Sequence, residues 1–149
     1  MGVIDQLDHA GALPALETMI RFSAGRHQLI THNIANLETP GFLPVDVDPT
    51  AFRSALAEAI EARRGDTRGG ASGPLAFKAT REVEVGDGGA VRLSPRTASG
   101  NILFHDQNNR DLERTMQSLV ENAGMFRVAT DLYRNRTTVL RDAIAERVG

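Results

Sequence analysis

At 149 residues the chain is long enough for one domain of ordinary size, but it has no Trp, one Tyr and six Phe, so we expect a thin or divided core. The formal net charge is −2 with both signs mixed along the chain, which argues against nucleic-acid binding and against attraction to an anionic membrane. Cysteine is absent, which excludes disulfides, thiolate metal sites and thiol nucleophiles.

The N-terminal sequence MGVIDQLDHAGALPALE lacks a basic segment followed by an apolar run. We therefore expect no cleaved secretory signal peptide. No stretch approaches the roughly 20 apolar residues that a membrane-spanning helix needs. The sequence predicts no direct insertion into a membrane.

A heptad pattern predicts a first long helix between Leu13 and Leu37. Pro14 suits its first turn, because the N–H that proline lacks would be unpaired there. Ser23 and His27 occupy two polar positions of the pattern. The apolar positions, which we call the N-terminal seam, are Leu13, Leu16, Ile20, Ile30, Ile34 and Leu37.

The sequence NIANLETPGF, residues 33–42, predicts where this helix ends. Pro40 cannot continue a helix, and Pro40-Gly41 fits the two central positions of a type II turn, in which Gly41 supplies a positive φ. Asn36 can bond to nearby backbone, and Phe42 is expected to anchor the chain after the turn. Residues 1–43 are thus assigned to the first helix and its turn.

The middle segment, residues 44–105, has a mixed pattern. PVDVD reads as extended, and residues 51–64 predict a short helix with Phe52 and Leu56 on one face. The Gly- and Ser-rich residues 65–74 predict a flexible loop. Beyond them, GDGG predicts a β-hairpin in which two valines face a valine and a leucine, namely Val83, Val85, Val91 and Leu93.

A second heptad pattern in residues 106–149 predicts a long C-terminal helix from about Arg110 to Val148. Its apolar positions, the C-terminal seam, are Leu112, Met116, Leu119, Phe126, Tyr133, Leu140 and Ile144. The predicted fold is mainly α, with both terminal helices paired as an antiparallel-type coiled coil. Four apolar residues beside the seam form an apolar flank expected to face neighbouring subunits: Val120, Val128, Leu132 and Val139.

Residues that could carry catalysis form no recognisable constellation. His27 and His32 are five residues apart, so they point in different directions on a helix and cannot share a metal as an i, i+4 pair would. Neither glycine cluster has the order of a phosphate-binding loop, and acids such as Asp46 and Glu82 are scattered. We expect no catalytic, cofactor or metal site.

Two segments carry a family resemblance. HNIANLETPGF resembles the motif that ends the N-terminal helix in bacterial flagellar rod and hook proteins, and DQNNRDLERTM resembles the opening of their C-terminal helix. The closing helix of the proximal members of the basal-body rod family is similar to the segment ENAGMFRVATDLYRNRTTVLRDAI. The short total length of the chain also favours a proximal rod subunit. Gln107 and Arg110 depart from the family's usual Gly and Val. The resemblance implies that seven residues form an assembly motif: Asn33, Ile34, Asn36, Thr39, Pro40, Gly41 and Phe42.

The resemblance also implies a function. It predicts a structural subunit of the rod, self-assembling for motility, with copies of itself, other rod and basal-body proteins and the flagellar type III export apparatus as partners. The implied location is the basal-body rod in the periplasm. The alternative from the residues themselves is a cytoplasmic helical adaptor or chaperone-like module that binds another protein's helix.

Overall fold

Helices dominate the part of the chain that the computed structural model describes, residues 11–65, 75–97 and 109–148. Its elements, in chain order, are helix α1 (Leu13–Ala35), strand β1 (Val45–Asp46), helix α2 (Pro49–Gly65), strand β2 (Val83–Val85), a short 3₁₀ turn (Asp87–Gly89), strand β3 (Val91–Leu93), strand β4 (Arg96–Thr97) and helix α3 (Asn109–Val148). The mainly α class with long terminal helices is confirmed. Most of the Gly-rich loop, together with His9 and His105, lies outside the described residues.

Helix α1 begins as predicted and ends two residues early. Pro14 lies in its first turn, and Gly11 precedes it with φ +64°, a conformation that glycine adopts without strain. Asn36 leaves the helical region at φ −108°. Leu37 therefore belongs to the turn rather than to the helix.

Helix α2 is slightly longer than the predicted residues 51–64, because its start is capped. The Asp48 carboxylate accepts a hydrogen bond from the Thr50 backbone N–H at 2.8 Å, and Pro49 occupies the first helical position. An Asp cap followed by proline favours helix initiation at this point.

The predicted hairpin has the predicted register, with Val83 opposite Leu93 and Val85 opposite Val91. A second antiparallel pair joins β1 to β4, with Val45 opposite Thr97. This pairing was not predicted, because each strand has only two residues and about fifty residues separate them in the chain. Together the two pairs hold both ends of the middle segment close to α1.

The core lies between α1, α2 and the hairpin. Phe22 of α1 and Phe52 of α2 stack with ring centroids 3.7 Å apart and planes within 3°, and both are 0% exposed. Ala15, Val47, Leu56 and Val83 complete the buried cluster, against which Met125 of α3 packs. The core is therefore centred on α1 and the middle segment.

Helix α1 is buried on two adjacent faces. The N-terminal seam supplies one, on which Leu13, Leu16 and Ile30 are buried. The other carries Phe22, Arg26 and Asn33, none of which the heptad pattern includes. The heptad pattern predicted only the first of these faces, because the second contains the polar residues Arg26 and Asn33.

Helix α3 continues without interruption through Gly124 and packs against α1. The Asn122 side-chain amide donates a buried hydrogen bond of 2.8 Å to the Ser23 carbonyl, and Ala129 is fully buried. With 40 residues against 23, α3 is about 60 Å long and α1 about 35 Å. A large part of α3 thus extends beyond α1.

Replacing Phe22 by Ala tests the second face of α1. Loss of a fully buried, stacked ring should lower the free energy of unfolding by about 3–5 kcal/mol. Leu43, which is exposed, is the control, and Leu43→Ala should stay within about 0.5 kcal/mol of the parent. Urea denaturation measures both, and equal effects of the two substitutions would contradict this core.

Candidate assembly site

The chain turns sharply after α1 through the predicted proline-glycine pair. The Phe42 N–H donates to the Thr39 carbonyl at 3.1 Å, and Gly41 has φ +75°. This hydrogen bond across Pro40-Gly41 and the positive φ at Gly41 are the features of a type II turn. Thr39, Pro40 and Gly41 are all exposed, so the turn lies on the surface.

Hydrogen bonds at the end of α1 connect the helix directly to this turn. The Asn36 side-chain amide donates to the His32 carbonyl at 2.9 Å, and the Asn36 carbonyl accepts the Thr39 N–H at 2.9 Å. The Phe42 ring, half-buried, meets the His32 ring edge to face at 5.6 Å between centroids. Ile34 is also half-buried. The turn is thereby built onto the last turn of α1.

Asn33 fastens the segment after the turn. Its side-chain amide donates to the Val45 carbonyl at 2.7 Å, and its side-chain oxygen accepts the Val45 N–H at 3.1 Å. One asparagine therefore satisfies both backbone groups of Val45, as a neighbouring strand would. The side chain is buried, which makes the pair of bonds costly to lose.

Arg26, two helical turns before Asn33, holds the next residue. Its guanidinium donates to both carboxylate oxygens of Asp46, with Nε–Oδ1 2.9 Å and Nη2–Oδ2 2.7 Å. Arg26 is only 4% exposed. A bidentate geometry of this kind restricts orientation as well as distance. Arg26 and Asn33 together fix the direction in which the chain leaves the turn.

The hairpin also docks on α1. Arg21 donates to the Gly88 carbonyl at 2.9 Å and pairs with Glu17 on its own helix. The Leu93 side chain lies so close to Gly25 that a Cβ there would come within 2.8 Å of Leu93 Cδ1. The absence of a side chain at Gly25 thus allows β3 to approach the helix backbone.

The two seams differ in exposure. In the N-terminal seam Leu13, Leu16 and Ile30 are buried, and the others, Ile20, Ile34 and Leu37, are half-buried. In the C-terminal seam four residues are half-buried: Leu112, Leu119, Tyr133 and Leu140. The remaining three, Met116, Phe126 and Ile144, are exposed.

The contact of α3 with α1 is therefore displaced by one residue from the predicted line. It contains Asn122 and Ala129, each one position before a residue that continues the heptad spacing of the C-terminal seam, Ala123 and Thr130. A search for apolar positions passes over Asn122 because its side chain is polar. The buried Asn122 side chain donates from its amide nitrogen to the Ser23 carbonyl, while its amide oxygen has no hydrogen-bond partner among the described residues.

The apolar flank of α3 is open to solvent. Val120 is 72% exposed, Val128 56%, Leu132 48% and Val139 55%. No element of the described residues covers these four side chains. Exposed apolar residues repeated along one helix are typical of a protein–protein contact surface.

Within the described residues, no group of three or more His, Asp or Glu side chains is arranged to bind a metal ion. His27 and His32 are both exposed. No helix in the same part of the chain is both long enough and apolar enough to cross a membrane. The residues that the structure brings together are hydrogen-bonding and packing groups.

The chain is similar to two curated proteins, the flagellar basal body rod protein FlgB of Yersinia ruckeri and that of Yersinia enterocolitica. Each is 28% identical over 137 residues, covering 87% of this chain and 88% of the relative. These similarities support assignment of the chain to the flagellar rod family. No family model matches the chain, and no solved structure matches it at a significant level.

Sequence reasoning identified the turn but not the ion pair that anchors the segment after it. Arg26 and Asp46 were not singled out as a pair, because no short motif links residues twenty positions apart. One sequence pattern could have indicated this contact. Arg26 precedes Asn33 by seven residues, so both lie on one face of α1, and Val45 and Val47 alternate with two aspartates.

Asn33→Ala tests the anchor of the segment that follows the turn. Loss of both bonds to Val45 should raise the hydrogen-exchange rate of the Val45 amide at least about tenfold and cost about 1–3 kcal/mol of stability. Gln28→Ala, an exposed change on the same helix, should alter neither. Amide exchange followed by NMR measures the effect, and an unchanged Val45 rate in Asn33→Ala would show that Asn33 does not hold this segment.

Proposed function

We propose that the chain is a structural subunit of the bacterial flagellar basal-body rod, without enzymatic activity. It assembles with copies of itself and with other rod proteins through its terminal helices. Its similarity to two basal body rod proteins over most of both chain lengths supports this proposal. Export through the flagellar apparatus and a position in the periplasmic part of the rod belong to the same proposal.

The observation that carries the proposal is the apolar flank of α3, left open along a helix that extends well beyond α1. Each of its four side chains, when fully covered, contributes about 1.5–3 kcal/mol relative to full exposure. Because these side chains are 48–72% exposed to solvent among the described residues, the isolated chain gains only part of this stabilisation. Contact with neighbouring subunits supplies the rest, which makes assembly the favoured state.

The turn after α1 then fixes the angle between the helices and the middle segment. In a packed tube, each subunit must direct its middle segment at a constant angle to its helices. The Pro40-Gly41 turn sets that angle, and Arg26 and Asn33 hold the segment that leaves it. The seven motif residues are therefore proposed to act through the direction of the chain.

Gly41→Val tests this function. Valine at φ +75° is strained by about 1–3 kcal/mol, so the turn should change direction and assembly should weaken, while α1 and α3 keep their helical content. Gly65→Val is the matched control, because a Cβ at Gly65 meets no atom within 4 Å and its φ is not positive. Sedimentation velocity measures assembly, and circular dichroism measures helicity.

Unaltered assembly of Gly41→Val would defeat the proposed role of the turn. A parent chain that stays a folded monomer at every concentration, yet binds one other protein with fixed stoichiometry, would instead be a helical adaptor. A rod subunit should polymerise or join rod partners in larger assemblies.

A further inference from the structure

Three arginines form a regular line along α3. Arg127, Arg134 and Arg141 follow one another at seven-residue intervals, and all three are exposed. Residues seven apart lie on nearly the same side of a helix, drifting by about 20° per heptad. None of the three guanidinium groups has an ion pair or a hydrogen bond with another described residue. We call this line the basic edge.

A line of acidic residues runs beside it. Glu113, Asp131 and Asp142 are separated by 18 and 11 residues, which are close to whole numbers of turns at about 3.6 residues per turn. All three are exposed and have no ion-pair partner among the described residues. This acidic edge lies about 60–80° around the helix from the basic edge, on the assumption of about 100° per residue.

Both edges point away from α1. Asn122 and Ala129, which are buried where α3 meets α1, lie roughly 120–180° around α3 from Arg134 and Asp131. The pair Arg127–Asp131 has the base N-terminal to the acid, the weaker order for an i, i+4 ion pair. No ion pair forms between them in the structure.

Apolar residues of the flank accompany each edge. Val120 lies one heptad before Arg127, in line with the basic edge. Val128, Leu132 and Val139 lie beside the acidic edge, on its other side from the arginines. Each edge can therefore bury apolar area as its charges meet a partner, which is the composition of a protein interface with a polar rim.

We propose that the basic edge of α3 in one copy docks against the acidic edge of α3 in a second copy of this chain. The two edges differ, so the contact is heterologous and leaves each copy one free edge for the next. Charge complementarity within a single helix identifies a second copy as the occupant. This inference rests on the proposed function and specifies the chemistry of its subunit contact.

The test is a charge exchange between two variants. The basic-edge variant is Arg134→Glu with Arg141→Glu, and the acidic-edge variant is Asp131→Lys with Asp142→Lys. When either variant associates with itself, like charges meet across the contact. In a mixture of the two, the unchanged acidic edge of the basic-edge variant meets the unchanged basic edge of the acidic-edge variant. The two edges whose charges were reversed are also of opposite sign and can pair. The control, Arg114→Glu with Arg136→Glu, has the same change of net charge as the basic-edge variant, at exposed positions elsewhere on α3.

Self-association of the full-length chain is measured by sedimentation velocity at about 50 mM and about 500 mM salt, with circular dichroism to verify folding. Because exposed ion pairs contribute up to about 1 kcal/mol each, each variant alone should associate about tenfold more weakly than the parent. The equimolar mixture should recover most of the loss, and the control should stay within about twofold. The higher salt concentration should weaken self-association of the parent chain, because it shortens the Debye length and screens the charges across the contact.

Normal association of the basic-edge variant, or failure of the mixture to recover, overturns the assignment of these edges. If Gly41→Val still weakens assembly in that case, the rod proposal stands and another surface makes the contact. If the parent neither self-associates nor joins rod proteins, the rod proposal itself fails, and this inference fails with it.

Discussion

The burial of two adjacent faces of α1 is the constraint on which the rest of the structure depends. One face carries Phe22, stacked on Phe52, and the buried Arg26 that binds Asp46. The other receives α3 at Ser23. A helix with a single apolar face could hold either the middle segment or α3. Because α1 holds both, it links the turn, the hairpin and the long C-terminal helix.

Because of this arrangement, the parts of the molecule differ in local stability. Residues around the Phe22 and Phe52 rings have aromatic stacking, a bidentate ion pair and backbone bonds from Asn33. Helix α3 contributes Met125 to that cluster and an amide bond from Asn122, and then extends well beyond α1 with its apolar flank exposed. Local stability follows buried contacts. The unit formed by α1 and the middle segment, which we call the α1 unit, is thus the preorganised part, and α3 is the part that the proposed subunit contacts would stabilise most.

Sequence reasoning predicted the features that depend on local chemistry. The Pro40-Gly41 turn and the hairpin register follow from residues within a few positions of one another, and both are present. The candidate site was only partly predictable, because its anchors are long-range and polar. Arg26, Asn33 and Asn122 look like solvent-facing residues in a hydrophobic pattern, yet each is buried with a specific partner. Their partners become apparent only once the chain has folded.

Hydrogen exchange along the dilute monomer tests most directly whether α1 is the preorganised part of the molecule. We expect amides of α1 and of strands β1 to β3 to exchange slowly and together, while α3 beyond about residue 131 exchanges much faster. If α1 exchanged as fast as the distal part of α3, α1 would not be held by the middle segment. If the whole of α3 were as protected as α1, the long helix would not need neighbours, and the division between the α1 unit and α3 would be contradicted.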